Sequence, residues 1–210
     1  ASPRYGEQMA VPWLEASRYS DTNGYQHDFY RTVYPWRTWV IRALNANQPF
    51  DQFVLEQLAG DLLPDATVEQ QVATGLHRMN TKNNESGINK EDYHNRETVD
   101  RVNTTATAML GLTIGCAQCH DHKYDPISQK EFYQFYAFFN SVDGELGATG
   151  HDIPLPPLLT LPTKQQAAEL DRVTKGLAEL ETRIKAEVGK VELAIAPATT
   201  DQTVEPAPDS

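Results

Sequence analysis

Little in this chain offers a covalent staple, a basic surface or a membrane span. It has two cysteines, too few for the disulfide framework that holds small secreted folds together. Basic residues are in short supply. Lys and Arg number 18 against 29 Asp and Glu, a formal net charge of −11. Without a basic cluster the chain is a poor partner for nucleic acid, whose phosphates are met by Lys and Arg. The same balance argues against docking on anionic lipid. No apolar run approaches the roughly 20 residues that a bilayer-spanning helix needs. No internal repeat is present. Ala1–Ser2–Pro3–Arg4–Tyr5 has neither the basic start nor the apolar stretch of a signal peptide. The expectation is that such a segment was removed, or that the chain is a piece of something longer. What is there is a 210-residue chain, 40% hydrophobic and 22% charged, with 13 Pro and 12 Gly. That composition describes a globular protein with loop-rich parts.

The apolar pattern predicts a mainly α fold. Pro35 suits a first helical position, and Trp36, Trp39, Val40, Ala43 and Leu44 follow at helical spacing. Pro49 starts a second helix, with Phe50, Phe53, Val54 and Leu58 on one stripe and Gly60 as its cap. Thr67 and Gln70 form a capping-box pattern ahead of Val72, Ala73 and Leu76. Residues 80–90 read as a polar loop. From about 91, Tyr93, Val99, Val102, Ala106, Met109 and Leu110 predict a long helix with one buried face. Ser128 and Glu131 form another capping box, before an aromatic face of Phe132, Phe135, Tyr136 and Phe139. This gives a helical domain over 1–145. Residues 146–163, with four prolines in 152–163, form a Pro-rich linker. Residues 164–196 form a long coiled-coil-like helix. There Leu170, Val173, Leu177, Leu180, Ile184, Val188 and Val191 recur at spacings of 3 and 4, a stripe that wants a partner helix, a second chain or the domain body. The last segment, 197–210, has the composition of a disordered tail or linker.

The segment with most chemistry is Gly115-Cys116-Ala117-Gln118-Cys119-His120-Asp121-His122-Lys123-Tyr124-Asp125. Cys116, Cys119 and His120 fit the attachment motif of a c-type haem. Residues three and four apart share one face of a helical turn, so two thiols and an imidazole converge on one macrocycle. The thiols form thioethers to its two vinyl groups, and His120 is the proximal ligand of the iron. The other ring nitrogen of His120 is expected to donate to a carbonyl or carboxylate. Three alternatives stand beside this reading. A redox dithiol normally opens a helix in a βαβ setting, and no such strands are predicted. A zinc site of Cys116, Cys119, His120 and His122 would need four ligands from seven residues to wrap a tetrahedral ion. The pair could also be buried structural thiols. For the sixth iron position the candidates are Met9, Met79, Met109, His27, His77, His94, His122 and His151. Met79 and His77 lead, because they lie at the end of a helix from which a side chain could reach a haem face. Met109 lies on its own helix's apolar stripe, which favours core packing.

Several further segments, taken in order, carry a resemblance. They are Ser-Pro-Arg-Tyr-Gly-Glu (2–7), Trp-Leu-Glu-Ala-Ser-Arg-Tyr (13–19), Asp-Thr-Asn-Gly-Tyr (21–25) and Trp-Val-Ile-Arg-Ala-Leu-Asn (39–45). Pro-Phe-Asp-Gln-Phe-Val-Leu-Glu-Gln-Leu-Ala-Gly-Asp-Leu-Leu-Pro (49–64), Asp-Arg-Val-Asn-Thr-Thr (100–105) and the stretch 111–127 around the cysteines complete the series. Over about residues 2–143 the chain resembles the planctomycete-type cytochrome c-like domain of large exported proteins. The resemblance implies one covalent haem c, a periplasmic or otherwise extracytoplasmic location, and further domains on a longer polypeptide, often including a separate cytochrome c domain. It also implies company with polysaccharide-degrading enzymes. By the same resemblance Arg78, Glu85 and the run Asp121–Asp125 are candidates for a polar site near the haem. The family often has Glu-Gly-Gly where this chain has Glu85-Ser86-Gly87.

The function expected is electron transfer within an exported multidomain oxidoreductase, with a redox protein or a second haem domain as partner. Two alternatives are kept. In one, the iron has an open site and His122, Glu85 or Tyr124 acts as acid or base on a carbohydrate-derived substrate. In the other, the haem is a structural core element and the 164–196 helix is an assembly device.

Overall fold

The fold comes from a computed structural model and is described for residues 2–26, 28–83, 87–142 and 158–195, with backbone alone over 191–195. It falls into two units, one within Ala1–Leu159 and one within Thr160–Ser210.

The first unit is an irregular stack of six helices joined by turns and longer connecting segments. In chain order they are α1 (Tyr5–Ala16), α2 (Tyr34–Asn45), α3 (Phe50–Ala59), α4 (Val68–Ala73), α5 (Lys90–Thr105) and α6 (Gln129–Asn140). Among the described residues there is no strand; the nearest approach is one antiparallel bridge between Thr22 and Tyr30. The predicted starts are present. Pro35 lies in the first turn of α2 and Pro49 is the N-cap of α3. Thr67 and Ser128 each close a reciprocal capping box, with Gln70 and Glu131 respectively. Helix α1 has no comparable start signal and carries Pro12 inside it.

Glycine decides where helices touch. A Cβ at Gly6 would lie 2.3 Å from the Ile41 carbonyl oxygen, so only glycine lets α1 cross α2 this closely. Gly60 follows α3 as expected, but in a right-handed conformation (φ −60°) that runs on into a short 3-10 turn. Its bareness serves approach instead: a Cβ there would stand 2.3 Å from the Gln70 carbonyl oxygen.

Two apolar clusters form the interior. One gathers Ala10, Trp36, Trp39, Val40, Ala43, Phe53, Ala73, Leu76 and Met79 from α1–α4 and the turn after α4, with Met109 packed at its margin. The other joins Val102, Ala106, Ile114, Ala117, Phe132 and Phe139, so α5, α6 and the cysteine turn share one core. Helix α5 ends in a π-helical turn, Ala106–Leu110, before Gly111 reverses the chain at φ 67°. That wider turn shifts the helical register, and Leu110, expected on the buried face, is 62% exposed.

The polar segment 80–83 is not a solvated loop. Asn80, Lys82 and Asn83 are buried against α5. The Asn80 amide donates to the Glu97 carbonyl at 3.0 Å and to Asp100 at 3.2 Å. Lys82 Nζ meets Glu97 Oε2 at 2.8 Å. Arg31 donates to the carbonyls of Arg78, Met79 and Asn80 at 3.2, 3.2 and 2.6 Å. Arg18 pairs with Asp100. Backbone that turns away from helix needs partners for its carbonyls, and here buried side chains supply them.

The second unit is α7 (Lys164–Ile195), opened by an unanticipated capping box in which Gln166 N–H donates to Thr163 Oγ1 at 3.3 Å and Thr163 N–H donates to Gln166 Oε1 at 2.9 Å. Leu170, Val173, Leu177, Leu180, Ile184 and Val188 are all exposed along it. The prolines at 154, 156 and 157 lie outside the described residues, and Pro162 lies in non-helical chain.

Candidate functional site

The cysteines stand on a single 3-10 turn, Gly115–Gln118, and not on an α-helix. Alternation of faces is clear. Ile114 and Ala117 point into the second cluster, while Cys116, Cys119 and His120 are exposed on the other side. The amides of Cys119 and His120 both reach the Cys116 carbonyl, at 3.3 and 3.4 Å. This shared acceptor closes the turn, with Cys116, Cys119 and His120 all exposed on it.

The turn is held from both sides by the start of α6. Gln129 Nε2 and the Tyr133 hydroxyl donate to the Gln118 carbonyl, at 3.2 and 3.0 Å. The Gln129 amide, an orphan donor of the helix N-terminus, donates to Asp121 Oδ1 at 2.8 Å. Thus Cys119 and His120 are bracketed between two fixed points. Sequence reasoning missed Gln129 and Tyr133. The capping box at Ser128 marks where α6 begins, but nothing in the sequence says that its first turn faces residues 118–121.

His120 Nδ1 lies 2.7 Å from the Asp121 carbonyl oxygen. A carbonyl only accepts, so Nδ1 carries the proton, and in the neutral ring the lone pair is then on Nε2. That is the tautomer an imidazole needs to bind a metal through Nε2. His122 is engaged differently. Its side chain is 5% exposed, and its Nδ1 accepts the amides of Tyr124 and Asp125 at 3.3 and 2.9 Å. A ring nitrogen that accepts two N–H groups is unprotonated, so the 3.2 Å approach of Asp125 Oδ2 is not an ion pair while the ring is neutral. His122 also closes the loop through its own amide, donated to the Ile127 carbonyl at 2.8 Å. Tyr124 is 83% exposed, with Lys123 Nζ 5.2 Å from its ring centroid.

The other candidates are scattered. Met79 is sealed in the first cluster. His77 Nε2 is buried without a hydrogen-bond partner, and its ring lies 5.3 Å from that of Phe139. Burial, with the Arg101 charge adding to it, pushes the His77 pKa down to about 4, so the ring is neutral at ordinary pH. His94 faces Asn140 Oδ1 at 3.1 Å, and Met9 is exposed on α1. Arg78 offers its carbonyl to Arg31. Glu85, Ser86, His27 and His151 lie outside the described residues. Asn103 presents a buried Oδ1 with no partner beside Gly115, whose Cβ would stand 3.4 Å from it. Two surface hollows, of about 330 and 280 Å³, are lined from α1–α4, nearby turns and Ala108, and take no residue from 114–127.

The donor set suits a c-type haem: two accessible thiols three residues apart and a neighbouring imidazole with a free Nε2. Among the described residues no three His, Cys, Asp or Glu groups converge on an ion. None of the described helices is long and apolar enough to cross a membrane. Fold and site together describe an irregular α-helical unit with an exposed Cys-x-x-Cys-His turn. Residues 1–144 match the family PSCyt2, protein of unknown function (DUF1549), and the chain belongs to it. This match agrees with the planctomycete cytochrome resemblance drawn from residues 2–143, and the family name suggests a cytochrome-like protein. Neither the curated proteins nor the solved structures yield a match.

Proposed function

We propose that this chain is a c-type haem domain that passes electrons within an exported multidomain oxidoreductase. The observation that carries the reading is the 115–120 turn, where Cys116, Cys119 and His120 are all exposed while Ala117 between them is buried. Each thiol would add across one vinyl group, with no leaving group, and so form a thioether. His120 Nε2 would hold the iron, its ring fixed by the Asp121 carbonyl. When bound, the haem supplies an iron that accepts and releases one electron. Gln129 and Tyr133 keep the turn in place, and His122 ties down the loop behind it. The two candidates for the sixth position, His77 and Met79, both lie in the interior, His77 with an unpartnered Nε2 beside Phe139 and Met79 in the first cluster. The partner is a second haem domain or redox protein, on this polypeptide or another, in polysaccharide metabolism. The location is periplasmic or otherwise extracytoplasmic, because haem is attached to this motif outside the bacterial cytoplasm.

The test is purification after export alongside the haem-attachment machinery. The protein is expected to gain the mass of one haem and to show a c-type spectrum on reduction. Cys116→Ser with Cys119→Ser should lose the adduct. Colourless protein with both thiols titratable overturns the reading. Carbon monoxide added to the reduced protein separates the two coordination states: slow or absent binding fits a sixth protein ligand, and rapid binding fits an open iron.

A further inference from the structure

A second feature, independent of the haem reading, is the uncovered stripe of α7. Leu170, Val173, Leu177, Leu180, Ile184 and Val188 are each 44–61% exposed. Their spacings of 3, 4, 3, 4 and 4 keep them on one face of an α-helix. Gly176 and Gly189 interrupt the same helix with open space around them. Interior glycines weaken an isolated helix, so a helix that carries two and still exposes an apolar stripe depends on a packing partner.

The charges beside the stripe specify which partner. Arg172 Nη2 pairs with Glu169 Oε1 at 2.6 Å near the start of α7, and Lys190 Nζ pairs with Glu187 Oε1 at 2.6 Å near its end. The order of sign is acid then base in both. At about 100° per residue, all four charges fall on the same edge of the stripe. Turning a second copy end for end about residues 178–180 lays Leu177 on Leu180, Val173 on Ile184 and Leu170 on Val188. The same turn lays Glu169 on Lys190 and Arg172 on Glu187. A two-fold axis perpendicular to antiparallel helices brings like edges together, so each end gains a quartet of alternating charge. A parallel pair would bring opposite edges together, with Glu169 facing Thr174 and Arg183 facing Val188, and would form no such pairs.

We infer that α7 is a homodimerisation helix that pairs antiparallel with α7 of a second copy of this chain. Its apolar seam runs from Leu170 to Val188, and the Glu169–Arg172 and Glu187–Lys190 pairs set its direction.

The test uses the full chain and two double substitutions that keep every in-chain charge pair. Glu169→Lys with Arg172→Glu inverts the first pair; Glu187→Lys with Lys190→Glu inverts the second. Each variant keeps its helix by circular dichroism, yet opposes like charges at both ends of its own dimer. Each is expected to self-associate about tenfold more weakly than the unchanged chain in sedimentation. Mixed in equal amounts, the two variants have complementary ends and should form a heterodimer of the original affinity. Variants that self-associate like the unchanged chain, or a mixture that does not recover, overturn the antiparallel pairing. An unchanged chain that stays monomeric up to about 1 mM overturns the second copy as the occupant.

Discussion

Lys82 and Glu97 show what single residues contribute here. Both side chains are 6% exposed and meet at 2.8 Å, whereas Arg42 and Glu69 meet at 3.1 Å with most of each side chain in water. Solvent screens the second pair to a few tenths of a kcal/mol, about 1 at most. Breaking the first removes a short charge–charge contact from a low-dielectric interior. Lys82→Met is therefore expected to cost about 3 kcal/mol or more in urea unfolding. Adding Glu97→Gln should recover part of that loss, because the remaining group is neutral. Two additive losses would show that the pair is not coupled. The sequence hides this pair. Its members are 15 positions apart, and residues 80–90 look like solvated loop by composition. By contrast, Cys116, Cys119 and His120 are legible because their chemistry depends on local spacing alone. His122 is intermediate: the sequence marks it as a candidate acid or base, and the fold uses its Nδ1 to hold two amides.

At the scale of elements, caps are the most readable feature, since they are contracts between residues three apart. Those at Thr67 and Ser128 form as the sequence indicates. Ser128→Ala should destabilise the chain by about 1 kcal/mol in thermal unfolding, because the Glu131 amide loses its acceptor. The same cap has a pH signature. Donation from the Ser128 amide, then from its hydroxyl, holds the Glu131 carboxyl below its ordinary pKa of 4.5. A carboxyl depressed on folding stabilises fully above its unfolded pKa, and the contribution fades as pH falls through the folded value. The unchanged chain should thus lose stability through this cap below about pH 4.5, and Glu131→Gln should show a flatter acid limb. An identical acid limb in the variant would refute it. Less legible are the 3-10 geometry of the cysteine turn and the π-helical end of α5. Both depend on what packs against them, and neither has a local signature of its own.

For the whole molecule, every member of the two apolar clusters lies between Ala10 and Phe139. A chain ending at Leu159 is accordingly expected to keep the near-ultraviolet signal of Trp36, Trp39 and Phe132 and to attach haem in the same stoichiometry, as read by mass and absorbance. Loss of that signal would mean that the core needs residues beyond 159. The sequence alone determined the helical class, the starts of α2, α3, α4 and α6, the cysteine–histidine motif and the apolar stripe of α7, because each is written in residues a few positions apart. Only the tertiary structure decided that the cysteine turn faces outward, that the first turn of α6 clamps it, and that a run of asparagine and lysine lies buried under α5. These outcomes depend on which distant groups can satisfy a buried carbonyl or charge, and that is settled only when the chain closes on itself.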